Sequence, residues 1–259
     1  MIIETEKIPT LRSCIVAEPG YTFLSLDAVQ VELKVAAYLS GDPLMIQAAE
    51  SQDMHLATAL QIFADKIAEE GILPGSPEMK VLRYMAKQIN FAVLYGAEAY
   101  KIAEMSDGAM TEEEAQELID RYFTTYHVLK NFIDNGIIKA REDGFVKSIF
   151  DRIRPLPELY ASAWKVRQKA EREVFSTLCQ GTAIDIVKQS MLRLRSLFPR
   201  AVRLVLQVHD EILWEVPDEL LQICIELSKD LKQSFPLYPF HISIGKIYGE
   251  IIELGEANG

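Results

Sequence analysis

Leu204-Val205-Leu206-Gln207-Val208-His209-Asp210-Glu211-Ile212-Leu213-Trp214-Glu215-Val216 is the stretch on which the fold turns. Two apolar, β-prone runs flank a short polar interruption, the pattern of a hairpin with carboxylates at its tip. Two adjacent buried carboxylates repel, one tends to keep its proton, and their ionised form needs a cation, most obviously a divalent metal. Taken alone, an Asp-Glu pair at a turn is more often a solvated bend. A second acid elsewhere in the chain has to decide between these readings.

Asp27 is that acid. Tyr21-Thr22-Phe23-Leu24-Ser25-Leu26 is apolar and aromatic and reads as a strand, and Val31, Val35, Tyr38 and Leu39 then recur at helical spacing, so Asp27 lies at a strand-helix junction. Helical patterns dominate from about Pro43 to Asn135, broken by the Gly/Pro loop Gly71-Ile72-Leu73-Pro74-Gly75-Ser76-Pro77. Thr111-Glu112-Glu113-Glu114 forms a capping box that opens one long amphipathic helix. Gly144 to Pro157 reads as a short hairpin or loop, about Ser162 to Phe198 as a helix with Gly181 inside it, and about Asp218 to Ser234 as another helix. Phe240-His241-Ile242-Ser243-Ile244 reads as a final strand. There is no internal repeat and no low-complexity linker.

The acids therefore sit in the β-rich ends of the chain, and a helical insertion splits an α+β domain. If the strands of both ends share one sheet, Asp27 faces Asp210, and the pair brackets a two-metal site with ions about 3.5 to 4 Å apart.

With 259 residues, 49% of them apolar and 25% charged, the chain can bury a sizeable core in one large or two smaller domains. No apolar run approaches the roughly 18 to 20 residues that span a bilayer, and the start lacks a signal-peptide pattern, so a cytoplasmic protein without membrane partners is expected. Cys14, Cys179 and Cys224 are too few and too scattered for a zinc site or a disulfide framework and read as small apolar groups. A net charge of -11 runs against phosphate binding by the whole surface. Between Lys139 and Arg172, however, nine basic residues face five acidic ones. That excess suits a local anion track and equally a solvated helix face.

In Arg83-Tyr84-Met85-Ala86-Lys87-Gln88-Ile89-Asn90-Phe91-Ala92-Val93-Leu94-Tyr95-Gly96, the residues Arg83, Lys87, Phe91 and Tyr95 recur every fourth position. On a helix each step drifts only about 40°, so all four share one broad face. Two leading cations suit a polyphosphate, and the following aromatics can lie against a sugar or base. An ordinary helix with a solvated Arg and Lys and a buried Phe and Tyr would show the same pattern. Gly96 fits a helix stop or kink.

Together these stretches resemble the polymerase domain of family A DNA polymerases, the bacterial DNA polymerase I type. Phe23-Leu24-Ser25-Leu26-Asp27-Ala28-Val29-Gln30-Val31-Glu32-Leu33-Lys34 resembles motif A (DYSQIELR). Arg83 to Gly96 resembles motif B (R-x-x-x-K-x-x-N-F-x-x-x-Y-G), and Leu206-Gln207-Val208-His209-Asp210-Glu211 resembles motif C (QVHDE). Asp53-Met54-His55 with Ala57-Thr58-Ala59, Ala170-Glu171-Arg172, and Gln180-Gly181-Thr182-Ala183-Ile184-Asp185-Ile186 add supporting matches.

The resemblance implies a right-hand polymerase: an antiparallel palm at residues 1-32 and 165-259, interrupted by helical fingers at 33-164. It implies a DNA-directed DNA polymerase, a nucleotidyltransferase extending a primer 3'-hydroxyl with dNTPs on primer-template DNA. Asp27, Asp210 and the backbone carbonyl of Ala28 would bind two Mg2+ ions, with Mn2+ as a substitute, and Glu211 would tune the site. Arg83, Lys87 and His55 would hold the phosphates, and Lys87 would also donate a proton to pyrophosphate. Phe91 would pack on the deoxyribose, Glu32 and Tyr95 would exclude a 2'-hydroxyl, and Gln30 belongs to the same nucleotide pocket. Arg172, Gln180, Gln207, Arg152 and Arg154 would touch primer or template, and His209 would support the primer end.

A thumb, a 3'-5' exonuclease domain and most of the palm before motif A are not recognised; only Lys7-Ile8-Pro9-Thr10 resembles the end of that palm segment. A separate polypeptide supplying the thumb, and with it the exonuclease, is expected, with a fragment of a longer chain as the alternative. Ala28-Val29 stands for the usual Tyr-Ser, Asp151 for a usual Gly and Ser176 for a common Asn, so departures bear more on template grip than on chemistry. The rival expectation is a non-catalytic DNA-binding or assembly subunit that keeps the fold, against which the joint retention of Asp27, Asp210, Glu211, Lys87 and Arg83 speaks.

Overall fold

The computed structural model describes residues 11-106, 110-229, 231 and 240-254. The chain divides into two units, Met1–Val31 with Ile184–Gly259, and Glu32–Ala183. The expected palm remnant at Lys7-Ile8-Pro9-Thr10 lies outside the described residues.

In chain order the first strand, β1, is Tyr21–Ala28, followed by α1 (Val31–Ser40), α2 (Pro43–Ala49), α3 (Met54–Ile62), α4 (Ala64–Glu70) and α5 (Pro77–Leu94). Next come α6 (Ala99–Met105), α7 (Glu112–Thr125), α8 (His127–Asp143) and the hairpin strands β2 (Phe145–Lys147) and β3 (Ile153–Pro155). The long α9 (Trp164–Leu197) leads from the second unit back into the first, which continues with β4 (Arg203–Val208), β5 (Glu211–Pro217), α10 (Leu221–Lys229), β6 (Phe240–Gly245) and β7 (Ile252–Glu253). The fold is α+β.

The first unit is built on one antiparallel sheet of order β4-β5-β1-β6-β7. Strand β5 is buried along its whole length, which is why Ile212-Leu213-Trp214 reads as a continuous apolar run instead of an alternation. Phe23, Leu213 and Tyr248 form a cluster against Ile15, Ala17, Leu206 and Ile251. Trp214, wholly buried, meets Phe198 edge to face at 5.1 Å between centroids. The edge strand β4 carries an irregularity between Leu204 and Leu206 and is largely exposed.

Two sequence readings change in detail. Asp27 lies inside β1, one residue before its end, and not at a junction beyond it. The hairpin tip comprises only His209 and Asp210; Glu211 is the first residue of β5 and is buried. Pairing to Val208 on one side and Asp27 on the other draws Glu211 into the sheet.

In the second unit the buried face of α5 is Met79, Leu82, Ala86, Ile89, Asn90, Val93 and Leu94. Ser76 caps its start, ending the Gly/Pro loop read from the sequence, and Gly71 closes α4 with φ +64°. The capping box at Thr111 and Glu114 is formed. Asp42, 1% exposed, joins two helices: Oδ1 accepts the amides of Leu44 and Met45 at 3.1 and 3.2 Å, and Oδ2 those of Val128 and Leu129 at 3.1 and 3.2 Å. One carboxylate thereby caps both α2 and α8. The β2–β3 hairpin is anchored by Ala140, Val146, Leu156, Leu159, Ala170 and Val174. Among the described residues no helix is long and apolar enough to cross a membrane.

Candidate active site

In the sheet of the first unit, Asp27 stands opposite Glu211 on β5 and opposite His241 on β6. The amide of Ala28 donates to the carbonyl of Asp210 at 3.2 Å, which ties the hairpin tip to the end of β1. His209 takes φ +56° to make so short a tip. Asp27 and Asp210, 183 positions apart by numbering, are thus brought together by strand pairing. The Asp27 carboxyl is pushed above its ordinary range by burial first, then by the negative charges of Asp210 and Glu211, with His241 and Arg12 partly offsetting them. A half-buried carboxylate beside like charges is stabilised in its ionised form by a cation.

Glu211 is differently placed. One oxygen accepts from Ser25 Oγ at 2.6 Å, the other from the Tyr248 hydroxyl, and Arg12 Nη1 lies 3.6 Å away. Arg12 in turn lies over the Tyr248 ring at 4.8 Å from its centroid. With both oxygens of Glu211 engaged from within the unit, Asp27, Asp210 and the carbonyl of Ala28 are the groups that could hold a metal. Among the described residues no group of three or more His, Cys, Asp or Glu side chains could hold a metal ion. Two carboxylates with a backbone carbonyl nevertheless suit Mg2+, which takes hard oxygen donors, commonly uses one or two carboxylates, and fills its other positions with water and substrate phosphate. Gln207, in β4, and His209, in the tip, are exposed, and Gln207 Nε2 donates to the His209 carbonyl. Gln30 follows β1 with φ +53°.

In the second unit Arg83, Lys87 and Phe91 follow one another along one side of α5, beside its buried face, and Tyr95 is the residue that caps its end; Arg83 and Phe91 are half-buried, Lys87 and Tyr95 exposed. Arg83 Nε lies 2.5 Å from Asp53 Oδ2, while the other oxygen of Asp53 caps α3 at Leu56 N, 3.0 Å. His55 is only 3% exposed; its Nδ1 lies 3.1 Å from Asn90 Nδ2, and its ring meets Phe91 at 5.6 Å. Burial first, then the cation Arg83, lower the His55 pKa; Lys87 adds to them and Asp53 opposes. The shift favours the neutral imidazole. Tyr95 Oη donates to Glu32 Oε2 at 3.0 Å, and burial and then Glu32 raise its pKa.

Gly96 ends α5 at φ +63°, where a Cβ would lie 2.8 Å from the Cβ of Arg172. Only glycine permits α9 to approach this turn so closely. Arg172 Nη1 is held 3.1 Å from Glu98 Oε1, Arg152 Nη2 donates to the Gly181 carbonyl at 2.7 Å, and Arg154 Nη1 donates to Thr177 Oγ1 at 2.5 Å. Gln180 is exposed on α9. The basic stretch is locally neutralised by pairs such as Arg141 with Glu171 at 2.5 Å and Arg154 with Glu173 at 3.3 Å. Asp151 adopts φ +62° and pairs with Lys147 at 2.8 Å, so the residue standing for a usual glycine occupies a glycine-favouring conformation. A cavity of about 530 Å³ lies between α5, α6 and α9, lined in part by Phe91, Tyr95, Tyr100 and Arg172.

Sequence reading gave Asn90 only as a letter of motif B, and it missed Tyr122, whose partners lie on other helices, and the Ser25-Tyr248-Arg12 set around Glu211. Asp53, read only as part of a supporting match, also carried a cap signal, an Asp directly before a helical run.

A model described as DNA polymerase family A matches residues 1–244. The thermostable DNA polymerase I of Thermus aquaticus is 36% identical over 242 residues, covering 91% of this chain and 28% of that protein. DNA polymerase I of Borreliella burgdorferi is 35% identical over 260 residues, covering 96% of this chain and 27% of that protein. The chain thus spans little more than a quarter of the length of these relatives. Among solved structures, the POL domain of Pol1 from M. smegmatis, in complex with DNA primer-template and dNTP, superposes with a TM-score of 0.79 at 28% identity, covering 95% of this chain and 44% of that one.

Proposed function

Because this chain belongs to DNA polymerase family A, we propose that it forms the palm, at residues 1-32 and 165-259, and the fingers, at 33-164, of a DNA-templated DNA polymerase that adds dNTPs to a primer 3'-hydroxyl. The observation that carries the reading is the juxtaposition of Asp27 and Asp210 on one sheet, with the Asp27 carboxyl raised by burial and by its acidic neighbours.

Asp27, Asp210 and the Ala28 carbonyl would hold Mg2+. When bound, the metal lowers the pKa of the attacking hydroxyl and neutralises charge on the phosphates. Arg83 and Lys87, one turn apart, bind the triphosphate; Arg83 exchanges its partner Asp53 for phosphate, and Lys87 protonates the departing pyrophosphate. His55 adds a hydrogen bond, while Phe91 packs against the sugar. The Tyr95-Glu32 pair closes the space where a ribose 2'-hydroxyl would sit, so Glu32→Ala raises ribonucleotide incorporation. Arg152, Arg154, Arg172, Gln180, Gln207 and His209 touch primer or template. Glu211 supports Asp27 from within the sheet without ligating metal.

We propose that further protein, in a separate polypeptide or elsewhere in a longer chain, adds grip on duplex DNA. In the version we favour, a separate polypeptide carries the thumb, and that polypeptide co-purifies with the native chain.

The test is primer extension by the native complex beside its Asp210→Ala variant. The variant should lose at least about a thousandfold in rate, the scale of the several kcal/mol contributed at a metal site. Equal extension by the two proteins rejects the proposal.

A further inference from the structure

Asn90 is 1% exposed at the junction of α3, α5 and α7. Its Oδ1 accepts from the Tyr122 hydroxyl at 2.9 Å. Its Nδ2 lies 3.1 Å from both Thr58 Oγ1 and His55 Nδ1. Tyr122 is also 1% exposed, with its ring edge-on to Tyr126 at 4.8 Å and to Phe123 at 5.8 Å. Packing thus holds its hydroxyl on the amide oxygen.

An amide whose oxygen is taken by a hydroxyl donor turns its NH2 towards its other neighbours. The imidazole nitrogen it meets must carry a lone pair, and a neutral ring then bears its proton on the opposite nitrogen. We infer that Tyr122 and Asn90 are positioning residues that hold His55 as the Nε2–H tautomer, presenting a neutral N–H donor to the phosphates bound by Arg83 and Lys87. Burial, the cation Arg83 and the cation Lys87 all disfavour a second proton on this ring and together outweigh Asp53. Among the described residues Nε2 has no hydrogen-bond partner, whereas Nδ1 is engaged. The inference rests on the assignment of α5 as the triphosphate-binding helix.

The experiment is long-range 1H-15N NMR at neutral pH on the complex labelled with 15N-histidine in this chain. His55 is identified among the chain's 4 histidines by its loss in His55→Gln. We expect an unprotonated Nδ1 and a protonated Nε2, with the Nε2 resonance moving on addition of tripolyphosphate. Tyr122→Phe keeps the packed ring but frees the amide to turn over. It should give a mixture of tautomers and raise the KM for dNTP about three- to tenfold, with kcat held within about twofold, as expected for lost ground-state binding.

A proton on Nδ1 in the wild type overturns the inference, as does a Tyr122→Phe variant with unchanged tautomer and unchanged KM. If Tyr122→Phe does not fold, the wild-type spectrum alone decides. A wild type with the expected tautomer and tripolyphosphate response but no primer extension supports the positioning role and counts against the polymerase assignment, so the two failures are distinguishable.

Discussion

Asp27 and Glu211 are direct partners across the β1–β5 ladder, yet one carboxyl is open and the other is locked by Ser25, Tyr248 and Arg12. Removing the Tyr248 hydroxyl strips a hydrogen bond from a buried carboxylate without altering the shape of the cluster. Tyr248→Phe should therefore lower unfolding stability by about 1.5 kcal/mol in urea titration, the range for hydrogen bonds to charged groups. An unchanged midpoint and slope would mean that the hydroxyl contributes nothing to holding Glu211.

Asp42 satisfies four backbone amides from two helices. Asp42→Ala leaves those donors without their acceptor and should cost about 3 kcal/mol or more, the sum of two caps and a buried desolvation term. Asp134→Ala removes only an exposed helix pair with Lys130 and should change stability by less than about 0.5 kcal/mol. Calorimetric Tm values of the two variants, read side by side, check the contrast.

Gly41 and Gly96 have nearly the same backbone conformation, φ +66° and +63°, but different surroundings. A methyl group at Gly41 meets nothing within 4 Å, while at Gly96 it strikes Arg172. Gly41→Ala should cost about 1 kcal/mol for the left-handed backbone alone. Gly96→Ala should cost clearly more, about 2 kcal/mol or above, because backbone of α9 must also shift. Equal losses in denaturant titration would show that the close approach carries no strain.

The Asp53 carboxyl is held below its ordinary 3.8: burial raises it, but the hydrogen bond from Arg83, the Leu56 amide, the charge of Arg83 and His55 outweigh that. A depressed folded-state pKa contributes stability that is present above 3.8 and lost as pH falls through the lower folded value. The stability difference between wild type and Asp53→Asn should accordingly be flat from neutral pH down to about 5 and shrink below about 4. Urea midpoints measured across pH 3 to 7 test this. A gap that widened on acidification would reverse the sign of the linkage.

Much of the fold was legible because it rests on local periodicity. The apolar run Ile212-Leu213-Trp214 reads as a strand of a hairpin, the fourfold spacing from Arg83 to Phe91 runs along one side of α5, and Thr111 with Glu114 marks a helix start. Less legible were residues whose partners are remote. Nothing near Asp42 in sequence points to Val128, nothing near Glu211 points to Tyr248, and Asn90 reads as a motif letter until Tyr122 and His55 close around it.

Sequence by itself determined the element types and the α+β class, and it singled out the acids and cations proposed for the chemistry, since helix and strand periods and turn residues are properties of neighbouring positions. Only the tertiary structure decided which of two adjacent acids stays open. Asp210 remains in the two-residue tip, while pairing on both sides draws Glu211 into the sheet, where burial demands hydrogen-bond partners for each of its oxygens. Such pairing depends on strands brought together from opposite ends of the chain, and no local pattern encodes it.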